Sequence, residues 1–192
     1  MPARPTKPPI QTMYTAQTHI DSPLGSVLLA RTAQGLAGLW FAEGQRDFPG
    51  KLEAPMARHD LLFHTVEMQL QRYWAAPQGT AADFDLPLDP MGTAFQQAVW
   101  RALLTIGHGE ICSYGDIAKR LGNPQANRAV GMAVGRNPLS IIVPCHRVVG
   151  RDTRLTGYSG GMHRKIALLT QEGHLVHDNR LHRPVPGQAT LA

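Results

Sequence analysis

The sequence predicts an α/β chain in two parts: a small antiparallel sheet with one helix, then a mainly helical half containing a helix-turn-helix. Three observations carry that prediction. Residues 14–41 hold three short apolar segments separated by turn signals, residues 59–74 repeat apolar side chains at helical spacing, and beyond residue 92 one capping residue after another opens a helix. The expected boundaries are 1–12 for a flexible leader, 13–90 for the first part, 91–175 for the second and 176–192 for a tail.

The leader, MPARPTKPPIQT, has basic residues and prolines but no apolar stretch of the kind a signal peptide needs. TAQTHI, SVLLAR and LAGLWF then read as strands of a meander, with DSPLG and TAQG as the turns between them. In HDLLFHTVEMQLQRYW, Leu62, Val66, Leu70 and Tyr73 fall on one helical face, and Trp40, Phe63 and Trp74 are expected in the core. TAADFDLPL is expected to add one more short strand. LDPMG, residues 88–92, is rich in helix breakers and marks the boundary.

In the second part, Thr93 with Gln96 three residues on forms a capping box for TAFQQAVWRALL. Phe95, Ala98, Val99, Ala102 and Leu103 give that helix its apolar face. Ser113, with Asp116 near the cap, opens SYGDIAKRL, and Gly122 stops it. Pro124 is expected at the first position of the next helix, PQANRAVGMAV. This last helix is built of small residues, among them Ala126, Ala129, Gly131 and Ala133. An interior glycine costs about 1 kcal/mol against alanine. That is tolerable where a neighbouring helix or a nucleic-acid backbone must come close. Arg128 is its one long cation, either a solvated charge or a side chain reaching into a groove.

A chain of 192 residues with 43% hydrophobic content can bury one sizeable core or two small ones. No apolar run approaches the roughly 18 residues of a membrane span. Two cysteines make no disulfide framework, so a reducing, cytoplasmic location is expected. The nine histidines are scattered, with His174 and His177 the closest pair, and neither a metal site nor a cofactor is expected. Residues 1–92 carry 7 Lys and Arg against 9 Asp and Glu, whereas residues 93–175 carry 10 against 4. A basic half joined to an acidic one points to a polyanionic partner such as nucleic acid, the alternative being a basic surface without one.

The stretch 141–149, IIVPCHRVV, places a thiol beside an imidazole in apolar surroundings. In an extended strand Cys145 and His146 would point to opposite faces, so activation of the thiol requires a local turn or a bridging water. A third group should orient the imidazole. Glu172 is the candidate, in the last turn of GMHRKIALLTQEG, where the helix dipole disfavours a carboxylate that lacks a compensating partner. An exposed surface glutamate is the other reading. Cys112, beside a helix cap, is read as structural.

PCHRV, preceded by NRAVGMAVGRNPLSIIV and followed by LTGYSGG, resembles the O6-alkylguanine-DNA alkyltransferase family, as do TAFQQAVWRAL, SYGDIA and GNP in the same order. The resemblance covers residues 93–173 and only loosely the first half. It implies direct-reversal DNA repair in a single turnover. An O6-alkylguanine, with O4-alkylthymine as an alternative substrate, is flipped out of the duplex and its alkyl group moves to the protein's own cysteine. By motif match Cys145 is the acceptor, His146 the base acting through a water, and Glu172 its orienting group. Asn137 braces the loop, and Tyr114 hydrogen-bonds the base and helps protonate the leaving guanine. Val148 and Cys145 offer backbone carbonyls to the exocyclic amine, Ser159 a backbone N–H to O6, and Tyr158 lies along the alkyl side. Arg128 fills the space left by the flipped nucleotide, on a minor-groove surface formed with Ala126, Asn127, Ala129 and Tyr114. The implied partner is double-stranded DNA, bound by a monomer with cooperativity along the strand. Some relatives bind zinc through N-terminal cysteines, which this chain lacks. Asn127, Val134 and the Asp152–Arg154 loop depart from the family pattern and bear on lesion preference and groove footprint. Two competing readings are a lesion sensor without repair activity and a cysteine hydrolase. The retained Cys145 disfavours the first. The second needs an acyl-enzyme that water can open, which a thioether is not.

Overall fold

The computed structural model describes residues 13–182; the expected leader, 1–12, and residues 183–192 of the expected tail lie outside the described residues. The three predicted strands form as β1 (Ala16–Ile20), β2 (Val27–Arg31) and β3 (Leu36–Phe41), an antiparallel sheet in the order β1-β2-β3. Alternate residues of β2 and β3 serve different cores. Val27, Leu29, Leu36, Leu39 and Phe41 join the main core, while Leu28, Ala30, Ala37 and Trp40 pack with Tyr14 and Leu52 on the other side.

Helix α1 spans Leu61–Ala75 and buries Phe63, Val66, Leu70 and Tyr73. It starts two residues later than the expected span 59–74 because Asp60 is the cap: its carboxylate accepts from the backbone N–H of Leu62 at 2.9 Å. Leu62 and Trp74 are only half-buried, at the rim of the core. TAADFDLPL does not form the expected strand. A single bridge joins Leu36 and Leu88, since Pro87 has no N–H with which to extend a ladder.

In the second part α2 (Ala94–Leu103) carries the Thr93–Gln96 capping box and buries Val99, Trp100 and Leu103. Phe95, expected on its apolar face, is instead exposed. Helix α3 (Tyr114–Arg120) has its own box between Ser113 and Asp116, and Gly122, at φ +72°, turns the chain out of it. Helix α4 runs from Asn127 to Gly135, three residues later than expected from Pro124. The Ala126 N–H closes a turn onto the Asn123 carbonyl at 3.0 Å, and proline's fixed φ suits the second position of that turn. Ala126 is therefore the helix N-cap, without a side-chain cap bond. Trp100 Nε1 donates to the Ala133 carbonyl at 2.9 Å and ties α2 to α4.

After α4 the chain returns to the first part. Leu39 of β3 donates to the Pro138 carbonyl and accepts from the Ser140 N–H, at 2.8 and 3.0 Å, so the segment before Cys145 is pinned to the edge of the sheet. Two short strands, β4 (Cys112–Ser113) and β5 (Val148–Val149), pair in parallel, and α5 (Met162–Gln171) follows. Residues 176–182, expected to belong to the tail, instead form most of a hairpin of β6 (Leu175–His177) and β7 (Arg180–His182). Asp178 and Asn179, both at positive φ, make its two-residue turn, and Leu181 packs against Val149, Leu155 and Leu169. The main core runs through both parts, from Phe41 and Tyr73 to Trp100, Val148 and Leu168. Among the described residues no helix is long and apolar enough to cross a membrane.

Candidate active site

The Cys145 segment is not an extended strand. Residues 145–147 make one turn of 3₁₀-helix after Pro144. Successive side chains in such a turn are about 120° apart rather than opposed, so both Cys145 and His146 can face the interior. Upstream, Ile141 sits at φ +71°, a conformation that costs a β-branched residue on the order of 1–3 kcal/mol. Asn137, fully buried, holds the loop in that shape. Its amide donates to the Val143 carbonyl at 2.8 Å and to Cys145 Sγ at 3.0 Å, and its oxygen accepts from the Leu139 N–H at 3.0 Å.

Cys145 is 3% exposed and His146 wholly buried. Burial pushes the thiol up to about 11, against the opposing pull of the Asn137 amide and the Lys165 ammonium. His146 Nε2 lies 2.9 Å from Glu172 Oε1, while Nδ1 has no protein hydrogen-bond partner among the described residues. Burial holds His146 below its ordinary range, outweighing the attraction of Glu172. Glu172 is itself 3% exposed, so the surface-glutamate reading is wrong. Burial opposes its ionisation, but His146 and Arg147 together keep the carboxyl well below the usual carboxylate range. A buried imidazole held neutral and a carboxylate held ionised are compatible when Arg147 provides the permanent charge. Its Nε and Nη2 each donate to Glu172 at 2.8 Å, a two-point contact, and Tyr73 Oη adds a third donor at 3.1 Å. With Nε2–H donating to Glu172, Nδ1 is left as an acceptor.

The remaining predicted residues lie around this array. Tyr114, first residue of α3, pairs its hydroxyl with Thr156 Oγ1 at 2.8 Å, and burial raises its pKa. Tyr158 is buried, and the thiol lies near enough to add to the burial that raises its hydroxyl pKa. The Ser159 carbonyl accepts from the backbone N–H of Arg46, in the first part of the chain, at 2.9 Å. The Val148 carbonyl accepts from Lys165 Nζ, and the Cys145 carbonyl from the Val148 N–H, leaving each oxygen one further lone pair. Asn127, Arg128 and Ala129 are exposed and Ala126 half-exposed, together on the outer face of α4. An open groove of about 740 Å³ runs along that face, lined by Tyr114, Asn127, Arg128 and Gly131 and by Arg46 and Asp47 from the first part.

Four participants escape sequence reasoning: Arg147, Tyr73, Thr156 and Lys165. Arg147 stands inside PCHRV, and a buried Glu172 could have announced it as the needed cation. Lys165 shares a helical face with Leu168 and Glu172 and is completely buried, which no pattern in the sequence marks. It donates to the Val148 and Thr156 carbonyls but to no carboxylate among the described residues, and burial drags its pKa down to about 8. Among the described residues no group of three potential metal ligands occurs.

A two-part α/β fold that brings a buried cysteine, a histidine held neutral and a glutamate held ionised together beside a basic groove has the groups that nucleophilic catalysis by a cysteine calls for. Residues 15–90 match the family model of the 6-O-methylguanine DNA methyltransferase ribonuclease-like domain, and residues 94–174 match that of its DNA binding domain. A methylated-DNA–protein-cysteine methyltransferase of Methanosarcina acetivorans is 45% identical over 80% of this chain and 95% of its own length. That of Mycobacterium tuberculosis is 48% identical over 80% and 89%. The crystal structure of Mycobacterium tuberculosis OGT in complex with DNA superposes with a TM-score of 0.74 at 45% identity, covering 82% of this chain and 92% of that one. The chain belongs to the methylated-DNA–protein-cysteine methyltransferase family, a family of DNA-repair enzymes.

Proposed function

We propose that the protein removes alkyl groups from O6-alkylguanine in duplex DNA by moving them onto Cys145, once per molecule. The observation that carries this reading is the buried Cys145–His146–Glu172 array set behind a groove lined by Tyr114 and Arg128. An alkyl carbon on an ether-like oxygen is a weak electrophile and requires a thiolate. Cys145 is protonated at rest, and His146, held neutral with Nδ1 free to accept, takes the proton through a water. The sulfur then attacks the alkyl carbon. The S–C bond forms as the C–O6 bond breaks, the electron pair stays on guanine, and a proton relayed through Tyr114 neutralises it. No cofactor is needed, and the thioether has no route back to a thiol. The basic half fits the phosphate backbone, and α3 with α4 acts as a helix-turn-helix that enters the minor groove.

Gly131 supports the approach of DNA. A Cβ there would meet the Tyr114 ring at 3.8 Å, an ordinary contact, so no neighbour within the chain demands glycine. Arg128 fills the stack when the base is extruded into the pocket between Tyr114, Tyr158, Ser159 and the Val148 carbonyl. The protein acts as a monomer inside the cell.

Incubation with duplex DNA carrying labelled O6-methylguanine should saturate at about one methyl per protein, since a thioether is not turned over. Peptide mapping should place the label on Cys145. Cys145→Ala should still bind DNA and transfer nothing. Label on Cys112, or repeated turnovers, would overturn the reading.

A further inference from the structure

The loop after β3 reaches the site from the first part of the chain. Gln45, buried, accepts the Phe41 N–H at 2.8 Å, lies 3.4 Å from the Ser140 hydroxyl and donates to Asp47 Oδ1 at 3.2 Å. The Arg46 N–H is bonded to the Ser159 carbonyl, so the loop is fixed against the Tyr158–Ser159 wall. Asp47 is half-buried there and is the one acid among the residues lining the groove. Its carboxylate lies close enough to Cys145 to oppose formation of the thiolate. Nothing in the transfer chemistry uses a carboxylate at that place, and its charge works against the nucleophile. Such a cost calls for a return elsewhere.

From the Asp47 carboxylate at the rim of the pocket we infer that this residue selects among lesions by charge, disfavouring alkyl groups that end in an anion. The inference rests on the alkyl-transfer reading above. The atoms of an alkyl group beyond its reacting carbon cannot extend inward from Cys145, because Asn137 is packed against the sulfur. On that reading they extend along Tyr158 and Ser159, and the Ser159 carbonyl is bonded to the loop that carries Asp47. A methyl group presents no charge to Asp47. A carboxymethyl group brings a second carboxylate into a half-buried site, where like charges repel far more strongly than in water. Arg46, Arg128 and Arg136, also on the groove, are exposed, so their attraction for an anion is screened by solvent and salt. An aminoethyl group would be drawn in by the same carboxylate.

The test compares single-turnover rates on duplexes carrying O6-methyl-, O6-carboxymethyl- and O6-(2-aminoethyl)guanine, for the unchanged protein and for Asp47→Asn, which keeps the shape and the bond from Gln45. The unchanged protein should take the aminoethyl lesion faster than the carboxymethyl one by roughly tenfold or more. Asp47→Asn should raise the carboxymethyl rate relative to the methyl rate by roughly tenfold and lower the aminoethyl rate relative to it, while relief of the thiolate, common to all three lesions, cancels from these ratios. Equal rates on the two charged lesions in the unchanged protein would overturn the inference without any variant. An Asp47→Asn protein that changes all three rates by the same factor would also overturn it, since the charge would then act on the thiolate or the phosphates and not on the alkyl group. Absence of methyl transfer by the unchanged protein would instead remove the alkyl-transfer reading itself.

Discussion

Among the described residues, apart from the hydroxyls of Tyr14 and Tyr73, the first part of the chain buries Thr18, Thr32 and Gln45 as its polar side chains, none of them charged, whereas the second part buries the chargeable side chains of His146, Arg164, Lys165 and Glu172. Both halves share one apolar core, so the difference does not come from core size. In the first part the notable ion pair, Arg31 with Asp60, is only partly buried, at 26% and 17% side-chain exposure. In the second part Glu172 meets Arg147 with its own side chain at 0%. Burying charge costs several kcal/mol per ion unless partners compensate, and a nonpolar replacement is often as stable. The second half therefore carries an electrostatic load that stability alone does not explain. It makes sense as the setting of a reactive thiol.

The sharpest way to break this comparison is to neutralise one acid in each half. Glu172→Gln leaves the partly buried Arg147 guanidinium without its counter-ion and should cost about 3 kcal/mol of stability, besides slowing alkyl transfer. Asp60→Asn keeps a capping side chain and loses a partly exposed pair, and should cost only about 1 kcal/mol. Chemical denaturation of both variants checks this; equal losses would mean the two halves are electrostatically alike.

Arg128 probes charge that is held outside rather than buried. Arg128→Ala should slow repair of duplex DNA by the factor that about 1–3 kcal/mol implies, while reaction with a free base such as O6-benzylguanine hardly changes. Arg128→Lys should recover only part, because an ammonium does not stack as a planar guanidinium does. Equal losses on both substrates would make Arg128 a residue of the fold.

The acid limb of stability belongs to the second half as well. His146 and Glu172 both have folded values below their ordinary 6.5 and 4.5, so in acid the unfolded chain binds the extra protons. Stability present at pH 7 should therefore fall as pH drops below 6.5, by at most about 1.4 kcal/mol per pH unit from the histidine, with Glu172 adding its share below 4.5. Melting temperatures between pH 7 and 4 measure this. A flat profile would show that His146 is already charged in the fold.

The smallest expected change in stability comes from Lys165→Met. A buried ammonium without a carboxylate is replaced by an apolar chain of similar length, and the melting temperature should hardly fall. The rate of alkyl transfer should fall clearly, because the positive charge nearest the thiolate is gone and the Val148 carbonyl loses its donor. A large loss of stability with unchanged transfer would make Lys165 a structural strut.

Local signals in the sequence were sufficient for the three strands, the face of α1, and the two capping boxes at Thr93 and Ser113. Each depends on residues within a few positions of one another, where backbone sterics and orphan N–H groups dictate the outcome. Cys145, His146 and Glu172 lie in recognisable motifs, and the fold brings His146 and Glu172 into contact. Other features were decided by contacts distant in sequence. Pro87 reduced an expected strand to a bridge, because the partner β3 needed a donor that proline lacks. The hairpin 175–182 formed because Leu181 could cover Val149, Leu155 and Leu169. Whether Glu172 was exposed or buried, and that Arg147, Tyr73 and Lys165 surround the array, no local pattern could state. Nor could it place Asp47, almost a hundred positions before Cys145, on the groove with Tyr114 and Arg128. The sequence by itself determined the strands of the first sheet and the capped helices, and it singled out Cys145 as the candidate nucleophile. Only the tertiary structure decided the electrostatics, because desolvation and charge pairing depend on what the whole fold packs around a group.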